Sequence, residues 1–331
     1  MTRPRIADAA RVLAEGQSLL VTTHIRPDGD AIGSALALSH GLRGLGKMAT
    51  IVLEHAVPRP YRFLPGWRDI VPSLPVSEAG RFDVAVVLDC DGLQRAGEVT
   101  GLVRAVGRIV EIDHHPGAHG DGCVIAVYPE AAATAELVFE LCEALGAPLT
   151  VELATCLLTG LTDDTGGFRH SNTTARAHEL ASRLVAAGAD PARIAENLFG
   201  NQPPARLVLR GRALARARLL LDGRVILSYL TNEDFAVTGA DRADSSYVID
   251  DLRLAADIQV AAVLVETENG QCRVSLRSSS DLDVAAVARS LGGGGHVKAA
   301  GCELPGTVAQ AEPPLVAALA GALGADGRHG G

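Results

Sequence analysis

The sequence predicts an α/β protein in two parts: a Rossmann-like domain built on a parallel sheet, then a smaller α/β domain. Three observations carry this. Near-continuous apolar runs recur at Leu19–Thr23, Phe82–Leu88, Arg108–Ile112 and Cys123–Tyr128. Strands covered on both faces read this way, and parallel sheets hold most of them. The first run ends abruptly at His24 and passes through a tight loop into a small-residue helix from Ala31, the strand-loop-helix unit that presents side chains at the carboxyl edge of a sheet. Finally, the turn-rich break Gly200–Pro204 separates this pattern from a region of alternating strands. The boundaries expected are a first domain at 1–199, a linker at 200–218, a second domain at 219–310 and a tail at 311–331.

In chain order, residues 5–15 carry Ile6, Ala9, Ala10, Val12 and Leu13 at helical spacing, and Gly16 stops them. The helix from Ala31 keeps period 3.6 through Leu45, and Ala49–Leu53 is a second strand. Pro58–Pro75 is Pro-rich and reads as loop with short helical turns. Helices are expected at Ala131–Leu145, Val151–Thr162, Thr173–Ala187 and Pro191–Phe199, the last with Asp190 as its cap. Beyond the break, Arg206–Arg218 reads as a solvated helix face. Strands follow at Val225–Leu230, Ile258–Glu266 and Cys272–Arg277, the last two joined by an Asn269-Gly270 turn. Leu282–Leu291 is a helix, and a second is expected at Pro314–Leu323.

Composition narrows the class. The 331 residues are 47% hydrophobic and 21% charged, which is globular. No apolar run reaches the roughly 18 residues that cross a bilayer. The first residues, MTRPRIADAARVLAEG, carry acids and no unbroken apolar core, so no secretory leader is expected and the cytoplasm is the expected location. The six cysteines include no CxxC pair, which argues against a disulfide frame or a thiolate zinc site. The net charge of −9 argues against a broad surface for long duplex nucleic acid, though a few local cations suffice for a short anion.

Six residues stand just beyond predicted strands or helices of the first domain: His24, Asp28, Asp30, Asp89, His114 and Asp164. Carboxylates and imidazoles without thiolates favour Mn²⁺ or Mg²⁺ over structural zinc. Six ligands exceed what one ion with open positions needs. They suit two ions about 3.5–4 Å apart, bridged by one carboxylate, as in phosphoryl-transfer sites. Taken singly, Asp30 reads equally well as a helix cap and Asp28 as turn chemistry. Phe168 and Tyr247 read more readily as packing residues than as base-stacking platforms.

The motifs His24–Ser34 (HIRPDGDAIGS), Asp89 ending a strand, Asp113-His114-His115, and Thr162–Gly166 resemble those of the DHH phosphoesterase family. Gly292–Gly301 (GGGGHVKAAG), with Arg277-Ser278 upstream, resembles the family's C-terminal DHH-associated domain, which implies a mixed sheet there. Within the family, the length and paired domains are most similar to the NrnA-like oligoribonuclease and pAp phosphatase group. The resemblance implies that His24 and Asp28 hold one Mn²⁺, that Asp30, His114 and Asp164 hold another, and that Asp89 bridges them; Mg²⁺ or Co²⁺ are alternatives. His115 is implied as general acid or phosphate contact, with Asp113 orienting a histidine. Asp163 and Asp164 compete for one place, and the register with Thr165-Gly166 favours Asp164. Metal-activated water would then attack phosphorus in line. Arg277, Ser278, Gly293, Gly294, Gly295 and His296 would hold the substrate, the glycines as a backbone nest for phosphate against the plainer reading of a helix-to-strand loop. The implied substrates are short oligoribonucleotides, linear dinucleotides and pAp, measured between two domains by a homodimeric enzyme. A cyclic-di-AMP phosphodiesterase and a non-catalytic nucleotide sensor are the alternatives.

Overall fold

The apolar runs become β1 (Ser18–Thr22), β2 (Met48–Ile51), β3 (Val84–Leu88), β4 (Ile109–Asp113) and β5 (Val124–Val127). The computed structural model describes residues 2–116, 120 and 122–326. The five strands pair in parallel in the order β2-β1-β3-β4-β5. β3 and β4 are buried along their whole length, which is why their sequences do not alternate. Strand order reverses at β1 and β3, and the crevice beyond the carboxyl ends of such a pair is where open α/β sheets bind ligands.

Helices α1 (Pro4–Glu15), α2 (Gly29–Gly44), α3 (Val99–Val106), α4 (Thr134–Leu145), α5 (Val151–Asp164), α6 (Ala175–Ala186) and α7 (Pro191–Phe199) complete this unit. α2 is buried on nearly every side, so its sequence is small and apolar all round. Its approach to α5 depends on Gly33: a Cβ there would lie 2.5 Å from the Cys156 carbonyl oxygen. α5 runs two residues further than its periodicity suggested, so Asp163 and Asp164 sit in a last helical turn.

The chain divides into two units between Asn201 and Gln202. The expected linker is instead helix α8 (Pro204–Ala215) of the second unit, whose Leu209 and Ala213 are buried with Ile226, Leu230 and Phe235. Its arginines are tied down: Arg206 to Asp244, Arg210 to Asp251, and Arg212 and Arg216 to Asp234. They are therefore intradomain ion pairs and not the solvated face that their density suggests. Strands β6 (Arg218–Leu220), β7 (Val225–Leu230), β8 (Val260–Glu266), β9 (Gln271–Ser278), β10 (Gly294–His296) and β11 (Ala299–Pro305) form a sheet ordered β10-β11-β9-β8-β7-β6. It is mixed, β7 and β8 being parallel and the other pairs antiparallel. Helices α9 (Asn232–Thr238), α10 (Val248–Leu252) and α11 (Val284–Ser290) connect it.

The expected tail is helix α12 (Val308–Asp326), with Ala311, Leu315, Leu319 and Leu323 buried in the second unit's core, where the helix meets β8, β11 and α11; residues 327–331 lie outside the described residues. Pro313-Pro314 suggested a later start, because proline disrupts a helix interior. The apolar stripe carries the helix through them. Among the described residues, no helix is long and apolar enough to cross a membrane.

Candidate metal centre

The ends of β1, β3 and β4 and the last turn of α5 deliver the ligand candidates. Beyond β1, the His24 Nδ1 lies 2.8 Å from the Ile25 carbonyl oxygen, so Nδ1 is a proton-bearing nitrogen and Nε2 is the one turned to the site. Nε2 faces Asp28 Oδ2 at 3.8 Å and Asp89 Oδ2 at 3.6 Å. Asp28, rather than Asp30, is the N-cap of α2: its Oδ1 accepts from the Ala31 N–H at 3.0 Å, leaving Oδ2 for the site. Asp89 follows β3 in the left-handed region, φ 55°, a conformation aspartate adopts more readily than most residues.

Beyond β4, His114 Nδ1 lies 3.3 Å from the Ala131 carbonyl oxygen. Its Nε2 points at Asp89 Oδ1, 3.6 Å away, and Asp164 Oδ2, 3.7 Å away. This nitrogen is buried and has no hydrogen-bond partner. A lone pair left unmet among carboxylates is what a divalent cation would satisfy, and the donor set fits one. Three overlapping groups come together among the described residues, His24 with Asp28 and Asp89, Asp30 with His114 and Asp164, and Asp89 with His114 and His115; within each, the ligand atoms lie within 4.8 Å of one another. Asp163 is outside all three. It accepts from the Gly29 N–H at 2.7 Å and the Tyr61 hydroxyl at 3.1 Å, a structural tie from α5 to the first residue of α2 and to the turn Arg59–Tyr61.

The electrostatics point the same way. Burial, then the charges of Asp89 and Asp164, push Asp30 well above the usual carboxylate range. Burial above all raises Asp164 to about 6. Burial opposes a charge on His24, but the facing carboxylates of Asp28 and Asp89 outweigh this and, with no metal between them, push it up to about 10. Crowded buried acids demand positive charge, whether from protons or from a metal that displaces them.

Asp113 serves the next two residues. Its Oδ1 accepts from the backbone N–H of His114 at 2.7 Å and of His115 at 3.0 Å, and from His115 Nδ1 at 2.8 Å. The side-chain bond to Asp113 is the main reason His115 is raised to about 9. With Nδ1 thus engaged, His115 has Nε2 to offer. Sequence reasoning missed Thr134 and Asn172. The Thr134 hydroxyl donates to Asp89 Oδ1 at 2.9 Å, and Asn172 Nδ2 donates to Asp164 Oδ2 at 3.1 Å. No local pattern could mark either, since each meets its partner only through the fold.

In the second unit, the glycine run is less of a free loop than either reading expected. Gly294–His296 is strand β10, paired with Ala299–Gly301. Gly293 is required by packing, because a Cβ there would fall 2.2 Å from the Gly301 carbonyl oxygen, whereas Gly294 faces open space. Gly295 and His296 are exposed. Ser278 is buried and its hydroxyl donates to the Ser280 carbonyl at 2.8 Å, so it is spent on a turn. Arg277 donates to the Leu276 carbonyl at 3.1 Å. Phe168 stacks on His178, with 5.1 Å between ring centroids, and packs on the core; the exposed Tyr247 ring lies under Arg206.

Residues 18–161 match the DHH family, N-terminal domain, and residues 222–324 match the DHHA1 domain. A curated relative from Thermus thermophilus is 35% identical over 308 residues, covering 92% of this chain and 90% of its own length. The chain belongs to the DHH family. That relative is named bifunctional oligoribonuclease and PAP phosphatase NrnA. A cyclic-di-AMP phosphodiesterase, GdpP of Geobacillus thermodenitrificans, is 29% identical over 93% of this DHH chain, which spans only 48% of the relative's length. Among solved structures, an exopolyphosphatase-related protein from Bacteroides fragilis superposes with a TM-score of 0.86 at 27% identity, covering 95% of both chains.

Proposed function

We propose that this DHH protein is a divalent-metal-dependent phosphoesterase that hydrolyses short oligoribonucleotides and linear dinucleotides to mononucleotides and removes the 3′-phosphate of pAp. One observation carries the reading. The two carboxylate oxygens of Asp89 face two different imidazoles, Oδ2 toward His24 and Oδ1 toward His114, each at 3.6 Å. A carboxylate so placed is disposed to bridge two ions. His24 and Asp28 would hold one, and Asp30, His114 and Asp164 the other, with Mn²⁺ the best match to the donors. Bound there, the metals would supply a nucleophile at neutral pH and offset charge at phosphorus. His115, protonated and held by Asp113, gives a proton to the leaving oxygen. In the DHHA1 module, Arg277, the backbone of Gly294 and Gly295, and His296 would bind a second phosphate of the substrate. The NrnA relatives support this substrate class over the cyclic one. The enzyme would work as a homodimer in the cytoplasm.

The test is direct. Purified protein with Mn²⁺ is offered pApA, a pentanucleotide, pAp, cyclic di-AMP and pyrophosphate side by side. Turnover of pApA and pAp is expected. Preferential turnover of cyclic di-AMP would contradict the reading, and binding without turnover of any of them would make the chain a sensor.

A further inference from the structure

Helix α4 begins on a buried alanine turn, Ala131-Ala132-Ala133, with no side-chain cap of its own. Its first N–H groups are orphans that something must satisfy. Asp30 does so from another helix: Oδ2 accepts from the Thr134 N–H at 2.6 Å and Oδ1 from the Ala135 N–H at 2.9 Å. The same turn reaches the other candidate ligands. The Ala131 carbonyl faces His114 Nδ1 at 3.3 Å, and the Thr134 hydroxyl holds Asp89 Oδ1 at 2.9 Å. Asn172 donates to the Ala132 carbonyl at 2.8 Å and to Asp164 Oδ2 at 3.1 Å.

The turn is itself fixed from behind. Glu136, 2% exposed, accepts from the Ala132 N–H at 3.1 Å through Oε2. Its Oε1 accepts from Arg3 at 2.9 Å and pairs with Arg176 at 2.8 Å. Two arginines from α6 and the N-terminal segment therefore clamp a glutamate that clamps the turn. A buried glutamate of this kind is costly unless both its oxygens are satisfied, and here they are, by the two arginines and by the Ala132 N–H.

We propose that Thr134 and Asn172 are positioning residues: through the Ala131–Thr134 turn they fix Asp30, Asp89, His114 and Asp164 as one unit, so that metal affinity depends on groups that touch no metal. Outer hydrogen bonds of this type orient ligands, and their loss typically weakens metal binding about 10–100-fold. The proposal rests on the metal-centre reading above.

The test uses the full chain, stripped with chelator and titrated with Mn²⁺, free Mn²⁺ being followed by its electron paramagnetic resonance signal. Thr134→Val removes only the hydroxyl and keeps the N–H; Thr134→Ser restores it. The valine variant is expected to bind Mn²⁺ roughly 10–100-fold more weakly than wild type, and the serine variant within a few-fold of it. Metal-free melting temperatures of the two variants should agree, which a merely structural role of the hydroxyl would not allow. Equal affinity of wild type and valine variant, or equal loss in valine and serine variants, would overturn the positioning role. Should the valine variant fail to fold, Asn172→Leu, on a different element, decides by the same titration. Wild-type protein that binds no Mn²⁺ would instead overturn the metal-centre reading itself.

Discussion

Asp89 occupies a left-handed backbone position at the end of β3, 1% exposed, with His24 on one side and His114 on the other. Replacing it with alanine removes one of several crowded acids, so the metal-free protein should keep its fold by circular dichroism. Mn²⁺ binding should be lost, and turnover of pApA should fall by roughly 10³-fold. Near-native turnover in Asp89→Ala would end the scheme. His115 makes a contrasting case: it stands within ligand distance of Asp89 and His114, but Asp113 holds its Nδ1, and the proposed scheme gives it proton transfer instead. His115→Asn should lower kcat by about 10²–10⁴-fold with Mn²⁺ affinity unchanged. A variant that loses metal instead would make His115 a ligand. At this scale the sequence was legible where chemistry-bearing types stand just past a strand, as His24, Asp89 and His114 do. It was less so for adjacent acids: nothing local says that Asp163 is committed to Gly29 and Tyr61 while Asp164 faces His114. Thr134 and Asn172 were invisible, because their partners are brought to them by helix packing alone.

At the scale of elements, the buried carboxylate Asp234 joins α8 to α9. It accepts from Arg212 Nε at 2.6 Å and Arg216 Nη2 at 2.9 Å, and from the Thr231 N–H at 2.8 Å, closing a capping box at the start of α9. Burial opposes its charge, but the bonds from Arg216, Thr231 and Arg212 outweigh this and hold it well below the usual carboxylate range. A carboxylate depressed in the folded state contributes stability that is fully present above its unfolded value near 4 and is lost as pH falls toward the folded value. Asp234→Asn should therefore destabilise the second unit by about 3 kcal/mol at pH 7, with two cations left short of a partner. The difference from wild type should shrink below about pH 4 in urea unfolding. A constant difference down to pH 2 would contradict the assignment. These ion pairs also explain why α8 escaped recognition. Its apolar face is only Leu209 and Ala213, and its arginines look solvated until the acids from α9, α10 and the loop between them are placed beside them. Strands were easier, since burial on both faces writes itself directly into β3 and β4. The glycine run was legible only in part for a related reason: Gly293 serves strand packing, which sequence cannot separate from a phosphate nest.

At the scale of the whole molecule, the proposal assigns chemistry to the DHH unit and recognition to the DHHA1 unit. Arg277→Ala separates the two. It should raise KM for pApA by roughly 10-fold or more while leaving kinetics on a bare chromogenic phosphodiester nearly unchanged, because the second phosphate is what a guanidinium fork would hold. Equal effects on both substrates would remove Arg277 from recognition. The division into two units and the parallel sheet of the first were legible from the break near Gly200 and the apolar runs before it; the full extent of the second unit was not, since α8 and α12 lie outside its strands. The central claim is that Asp89 stands between two metal positions in one crevice. Crystals soaked in Mn²⁺ and measured at the manganese absorption edge test it most directly. The account predicts two anomalous peaks flanking the Asp89 carboxylate, one beside His24 and Asp28, the other beside Asp30, His114 and Asp164. A single peak away from Asp89, or none in the crevice, would contradict it.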